Sequence, residues 1–182
     1  KILFIFIIFI SSLFANTINI DSSSSKEILT SSQIFIDTSK ALTIKDISNN
    51  QVNFEDTNNT IKKFGYSPNF KVWIKFTIHN NENKAISKIL EFDNPLVTDI
   101  LLYESNELIG KEGLINKRVE RKTVNPTFLI NLDKDETKTY YMEVFSKKTS
   151  LTLKLNLYSY DDFYSKEIFH QIILSLFFGA ID

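Results

Sequence analysis

Residues 71–79, KVWIKFTIH, alternate without a break: Val72, Ile74, Phe76 and Ile78 fall on one face, and Lys71, Trp73, Lys75, Thr77 and His79 on the other. A period of two over this length is that of a half-buried antiparallel strand; a helix would repeat its apolar positions every three to four residues. Such a strand is stable only within a sheet whose apolar face is covered, so the rest of the chain must supply partners. Candidates are plentiful. QIFID and ALTIKDI come first, the latter with Leu42, Ile44 and Asp46 on one face. ISKILEF and TDILLYE follow, divided by Asp93-Asn94-Pro95, where proline lacks the N–H that a ladder needs. PTFLINL sets Phe128, Ile130 and Leu132 on one face, and TYYMEVF follows a polar DKDETK turn. LTLKLNLY alternates Leu151, Leu153, Leu155 and Leu157 against Thr152, Lys154 and Asn156. The pattern predicts an all-β fold, an antiparallel sandwich of at least seven short strands. Residues 48–70 and 105–126 carry clustered polar residues and glycines with little periodicity, and are expected to be irregular connections.

Two apolar segments bracket this β-rich region. Residues 1–15, KILFIFIIFISSLFA, have a basic start, a short apolar run and small residues near its end, the layout of a secretory signal peptide cut after Ala15. A short buried helix or an uncleaved anchor is the alternative. Residues 16–32 are rich in Ser, Thr and Asn and are expected to be a solvated linker. From Ser159 the pattern changes, with acids just after a serine and Asp162 three residues on, a capping-box variant that predicts a helix over 159–171. Residues 172–181 are uncharged and mostly apolar, too few to cross ~30 Å of hydrocarbon. They are either a buried core helix or the start of a first transmembrane helix. The second is the expectation for 172–182, because an apolar tail left in water invites aggregation. The sandwich would then occupy 33–158.

Composition narrows the function. A net charge of −1, from 21 basic and 22 acidic residues, gives no electrostatic footprint for nucleic acid. Without cysteine there is neither a disulfide framework nor a thiol nucleophile. His79 and His170 are too few for a zinc site, and no nucleophile elbow or other catalytic spacing occurs, so no metal, cofactor or enzymatic activity is expected. Glu91, Asp93 and Asp99 would supply carboxylates for glycosidase-like chemistry, but Asp93 as a turn residue and Glu91 as a solvent-facing strand residue is the simpler expectation. The sole tryptophan, Trp73, shares its polar face with Lys71 and Lys75, and Tyr103 lies on a neighbouring strand. A flat ring beside polar groups is what a sugar-binding surface uses; packing beneath a loop is the alternative. Arg118 and Arg121, the only arginines, fall in one loop where their forked donors would reach carboxylates or hydroxyls, or would simply be solvated. Trp73, Tyr103, Arg118 and Arg121 are therefore the ligand-binding candidates. Tyr140, Tyr141, Phe145 and Tyr158 have core-like spacing and are assigned to packing.

The order of features resembles one known domain type. VWIKFTIHN, then ILEFDNPLVTDILLY, a glycine-bearing loop, NPTFLINL, YYMEVFSKKTSLTLKLNLYSYDDF and a final FFGA are similar to the type 2 extracellular domain of bacterial seven-transmembrane receptors with diverse intracellular signalling modules. The resemblance covers about residues 33–180. It implies a jelly-roll-like sandwich akin to carbohydrate-binding modules, held in the periplasm at the inner membrane. Seven transmembrane helices and an output module such as a histidine kinase or diguanylate cyclase would follow. The chain departs from the family where Gly113 precedes Leu114 and Ile115 in place of an aspartate. The expected function is sensing of a small ligand, carbohydrate being one class, with coupling to the membrane through the 159–171 helix; a homodimer is compatible with this. A secreted glycan-binding or adhesive module without signalling is the alternative.

Overall fold

The computed structural model describes residues 17–49, 52–116 and 123–179. Along the chain run β1 (Thr17–Ile20), β2 (Lys26–Glu27), β3 (Gln33–Asp37), α1 (Ile44–Ser48), β4 (Glu55–Asp56) and β5 (Lys62–Tyr66). There follow β6 (Lys71–Asn80), β7 (Ile86–Phe92), β8 (Asp99–Glu104), β9 (Glu107–Glu112) and β10 (Thr127–Leu132). β11 (Thr137–Phe145), β12 (Ser150–Leu153), β13 (Leu155–Tyr158) and α2 (Tyr160–Gly179) complete the series. The expected signal-peptide segment and its cut lie outside the described residues.

One sheet has the order β4-β3-β6-β11-β8-β9, with β1 also joined to β6. A second has the order β10-β7-β13-β2, and β12 pairs with β5. All of these pairings are antiparallel except β1 with β6. The alternating strands do what their period demands. Val72, Ile74, Phe76 and Ile78 of β6 meet Ile86, Leu90 and Phe92 of β7, Phe128, Ile130 and Leu132 of β10, and all four leucines of β12 and β13 in one continuous core. Each fully buried aliphatic side chain contributes on the order of 1.5–3 kcal/mol, so this shared core holds the two layers together.

Three expectations are corrected. The segment expected to be a solvated linker is not one over its described residues, 17–32: Ile18, Ile20, Ile28 and Leu29 are buried in the main core, and β1 pairs with Thr77–Asn80. ALTIKDI is not a strand, because Thr43 and Asp46 close a reciprocal capping box that starts α1. The segments expected to be irregular contain β4, β5 and β9. Gly113, at φ +108°, lies so close to β8 that a Cβ there would meet the Thr98 carbonyl oxygen at 2.7 Å. Glycine is thus required by the backbone, whatever residue follows it.

The helix expected at Ser159 begins there, with the Asp162 N–H donating to Ser159 Oγ at 3.2 Å. It continues as a single helix to Gly179, across the expected boundary at 171. Among the described residues no helix is long and apolar enough to cross a membrane.

Candidate functional site

The outer face of the large sheet is built in rows. Register places Gln33, Lys75, Tyr141 and Tyr103 side by side, and Phe35, Trp73, Glu143 and Leu101 in the next row. α1 lies over these rows through Ile47, which is buried together with Trp73 and Tyr141; Phe35, Phe54 and Tyr103 pack around them. The Trp73 and Tyr103 ring centroids are 5.9 Å apart, and Phe54 is 6.3 Å from Tyr141. Burial, helped by the nearby charges of Glu143 and Asp99, pushes the Tyr103 phenol up to about 12.

Trp73 is therefore not an open platform. It lies on the outer face, as the alternation requires, but its exposure is 0%, and its indole N–H is buried without an acceptor among the described residues. An unpaired buried donor costs roughly 1–3 kcal/mol, so ring packing must outweigh that loss. Tyr103 is half-buried against Trp73. The structure brings this pair together. Arg118 and Arg121 lie outside the described residues.

Beside the aromatic cluster, at the end of α1, the face opens into a polar cleft of about 340 Å³. Lys75, Thr139 and Tyr141 form its floor, Ser48 and Asn49 one wall, and the β8–β9 turn, Ser105 and Asn106, the other. The Lys75 ammonium sits 5.6 Å from the Phe54 ring centroid and 5.9 Å from that of Tyr141. Lys71, its neighbour on the same face, is neutralised by Glu143 at 2.5 Å. The sequence places Lys75 beside Trp73 but does not show which of the two lysines lacks a carboxylate partner among the described residues.

A second arrangement joins α2 to the outer face of the small sheet. Glu91 is 1% exposed, not solvent-facing as expected, and accepts from Lys166 Nζ and, at 2.9 Å, from Asn125 Nδ2. The same amide donates to Asp93 at 3.0 Å, and Asp93 pairs with Lys154 at 2.7 Å. Each carboxylate of this pair thus has its own lysine. Asp99 lies apart, hydrogen-bonded to Asn116, with its carboxyl pushed up by burial. Lys166 Nζ also lies 5.0 Å from the ring centroids of both Tyr158 and Phe163, and Phe163 is buried. Burial, with Glu91 and Asp93 adding to it, pushes the Tyr158 phenol up to about 12. The N-terminal segment buckles this joint: Ser25 Oγ accepts from the Ser159 N–H at 3.0 Å and donates to Asp162. That loop is itself pinned by Lys88, a fully buried lysine on the core face of β7, whose ammonium donates to the carbonyls of Ser22 at 3.0 Å and Ser24 at 2.5 Å. Desolvation pushes its pKa down.

Past Lys166 the character of α2 changes. Ile168, Phe169, Ile172, Ile173, Leu174, Leu176, Phe177 and Phe178 are all exposed, and they surround the helix. A groove of about 420 Å³ lies where the helix leaves the sheet, between Leu129 and Ile89 on one side and Tyr164 and Ile168 on the other. His79 hydrogen-bonds Thr137 at 2.9 Å, His170 is exposed on α2, and among the described residues no group of acids and histidines is placed to hold a metal.

No curated protein matches the chain. Residues 30–159, from just before β3 through the end of β13, match the family model described as 7TMR-DISM extracellular 2. The match spans most of the chain, so this β-rich domain belongs to that family of extracellular receptor domains.

Proposed function

We propose that this chain is the periplasmic ligand-sensing part of a bacterial inner-membrane receptor. It binds a small molecule, carbohydrate being one candidate class, on the outer face of the large sheet, and α2 passes the result to the membrane. Its relationship to the 7TMR-DISM extracellular 2 family supports a sensory role outside the cytoplasm. A jelly-roll-like character would suit a ligand of that class. The chemistry of an output module lies beyond these residues; the domain itself only binds.

The observation that carries this reading is the division of α2. Its first two turns are fastened to the sandwich by Phe163, buried against Tyr158, and by the Lys166–Glu91 pair, and its remainder offers apolar side chains in every direction. An apolar surface of that extent is stable only when lipid or an apolar partner covers it. Linkage then requires only that a ligand favour one of two arrangements of sandwich and helix, typically by 1–3 kcal/mol. Co-sedimentation with lipid vesicles tests the membrane arm. The intact chain should partition into vesicles, and Ile172→Asp with Phe177→Asp should release it without changing its circular dichroism. Equal partitioning of both forms would refute it.

A further inference from the structure

We propose that the cleft between the end of α1 and the β8–β9 turn takes a small carboxylate that also bears hydroxyl groups, such as a sugar acid, with Lys75 as the partner of the anion. This rests on the reading of the outer face as the ligand-binding surface and adds the charge of the ligand.

Two other lysines of the large sheet are paired with carboxylates. Lys71 pairs with Glu143, and Lys138 pairs with Glu104 at 3.1 Å and Glu136 at 3.5 Å. Lys75 has no carboxylate within ion-pair distance among the described residues. The acid that shares its row, Asp56, is separated from it by Gln33, whose amide donates to Asp56 at 2.9 Å. What holds the Lys75 ammonium is the faces of Phe54 and Tyr141, which position a cation without neutralising it.

The lining adds selectivity. Ser48, Asn49, Ser105, Asn106, Thr139 and Tyr141 supply hydroxyl and amide groups, and among the described residues no Asp or Glu lines the cleft to repel an anion. Thr139 Oγ1 is bonded to Thr77 Oγ1 at 2.9 Å, which fixes the hydroxyl on the floor. A volume of about 340 Å³ is at the small end of ligand sites and suits one sugar-sized molecule. A carboxylate meeting a half-buried, otherwise unmatched ammonium forms a charge-assisted hydrogen bond, roughly twice as strong as a neutral one. A neutral sugar of the same size would use the hydroxyls and amides but leave that charge unmatched.

The test is calorimetric titration of the intact chain in lipid nanodiscs with D-gluconate and D-galacturonate, against D-galactose as the neutral control. At least one acid should bind about tenfold or more tightly than D-galactose, and Lys75→Met should weaken acid binding by about tenfold or more, a larger loss than that of D-galactose binding. Asn106→Asp, which adds a carboxylate at an exposed turn, should weaken acid binding in the same sense and serves if Lys75→Met fails to fold. Acid and neutral sugar binding alike, acid binding indifferent to both substitutions, or no acid binding at millimolar concentration would each overturn the proposal. D-galactose binding without acid binding would overturn the charge assignment while sparing the reading of the outer face as a ligand-binding surface; the vesicle experiment tests the membrane arm of that reading separately.

Discussion

Two lysines in this domain each rest on two aromatic rings, and they do opposite work. Lys166 lies over Tyr158 and Phe163 and reaches a buried carboxylate, Glu91. Lys75 lies over Phe54 and Tyr141 and reaches none among the described residues. The same local arrangement thus makes a closed joint on one outer face and an open cleft on the other. What separates them is the element laid on top. α2 is long enough to bring its own cation down onto Glu91, whereas α1, five residues long, covers Trp73 and stops short of Lys75.

The comparison predicts unequal costs. Lys166→Ala leaves Glu91 buried and uncompensated, and breaking a buried pair in this way costs about 3–5 kcal/mol; chemical denaturation should show it. Replacing both partners, Lys166→Met with Glu91→Leu, should recover most of the loss, since apolar groups of similar volume often substitute for a buried ion pair. Trp73→Ala should also cost about 3–5 kcal/mol, because the ring fills space under α1. A near-neutral result would mean that Trp73 does not pack there.

An intermediate effect separates the two sites through their tyrosines. The folded state keeps the Tyr158 proton up to about 12, while an unfolded chain loses it near 10.0, the ordinary tyrosine value. A raised folded pKa in an acid means that stability is lost as pH climbs from 10 toward 12. Tyr141 is pushed up by burial alone, without nearby carboxylates adding to the effect. Unfolding curves between pH 9 and 12, the span around these values, should therefore flatten more for Tyr158→Phe than for Tyr141→Phe. The smallest effect is expected at Lys75. Lys75→Met breaks no ion pair among the described residues and should change stability by less than about 1 kcal/mol. A loss as large as that of Lys166→Ala would show that a carboxylate pairs with Lys75 after all.

Much of the fold is legible in the residues. The alternation at 71–79 fixes β6 and its inner face, the leucines at 151–157 fix β12 and β13, and Ser159 with Asp162 marks the start of α2. The losses have physical causes. Polar composition made residues 16–32 read as linker, although four buried aliphatics outweigh it. Leu42, Ile44 and Asp46 mimic a strand, yet Thr43 and Asp46 sit at capping-box spacing, and that local cap outweighs the period of two. Period two places Trp73 and Glu91 on outer faces but is silent on what covers those faces. α1 covers the first and α2 the second, and Lys166 meets Glu91 from 75 residues away along the chain. Lys88 carries no sequence signal, because only the fold brings two loop carbonyls to its ammonium.

The most direct measurement is collision accessibility of spin labels placed singly from 160 to 179 on the chain in a bilayer. The account predicts a helical periodicity over 160–167, with minima at 163 and 166, and then uniform access to oxygen and exclusion of a polar nickel reagent beyond 168. A helical periodicity that persists through 178 would contradict it, because the outer half of α2 would then have one covered face against a protein partner instead of lipid on every side.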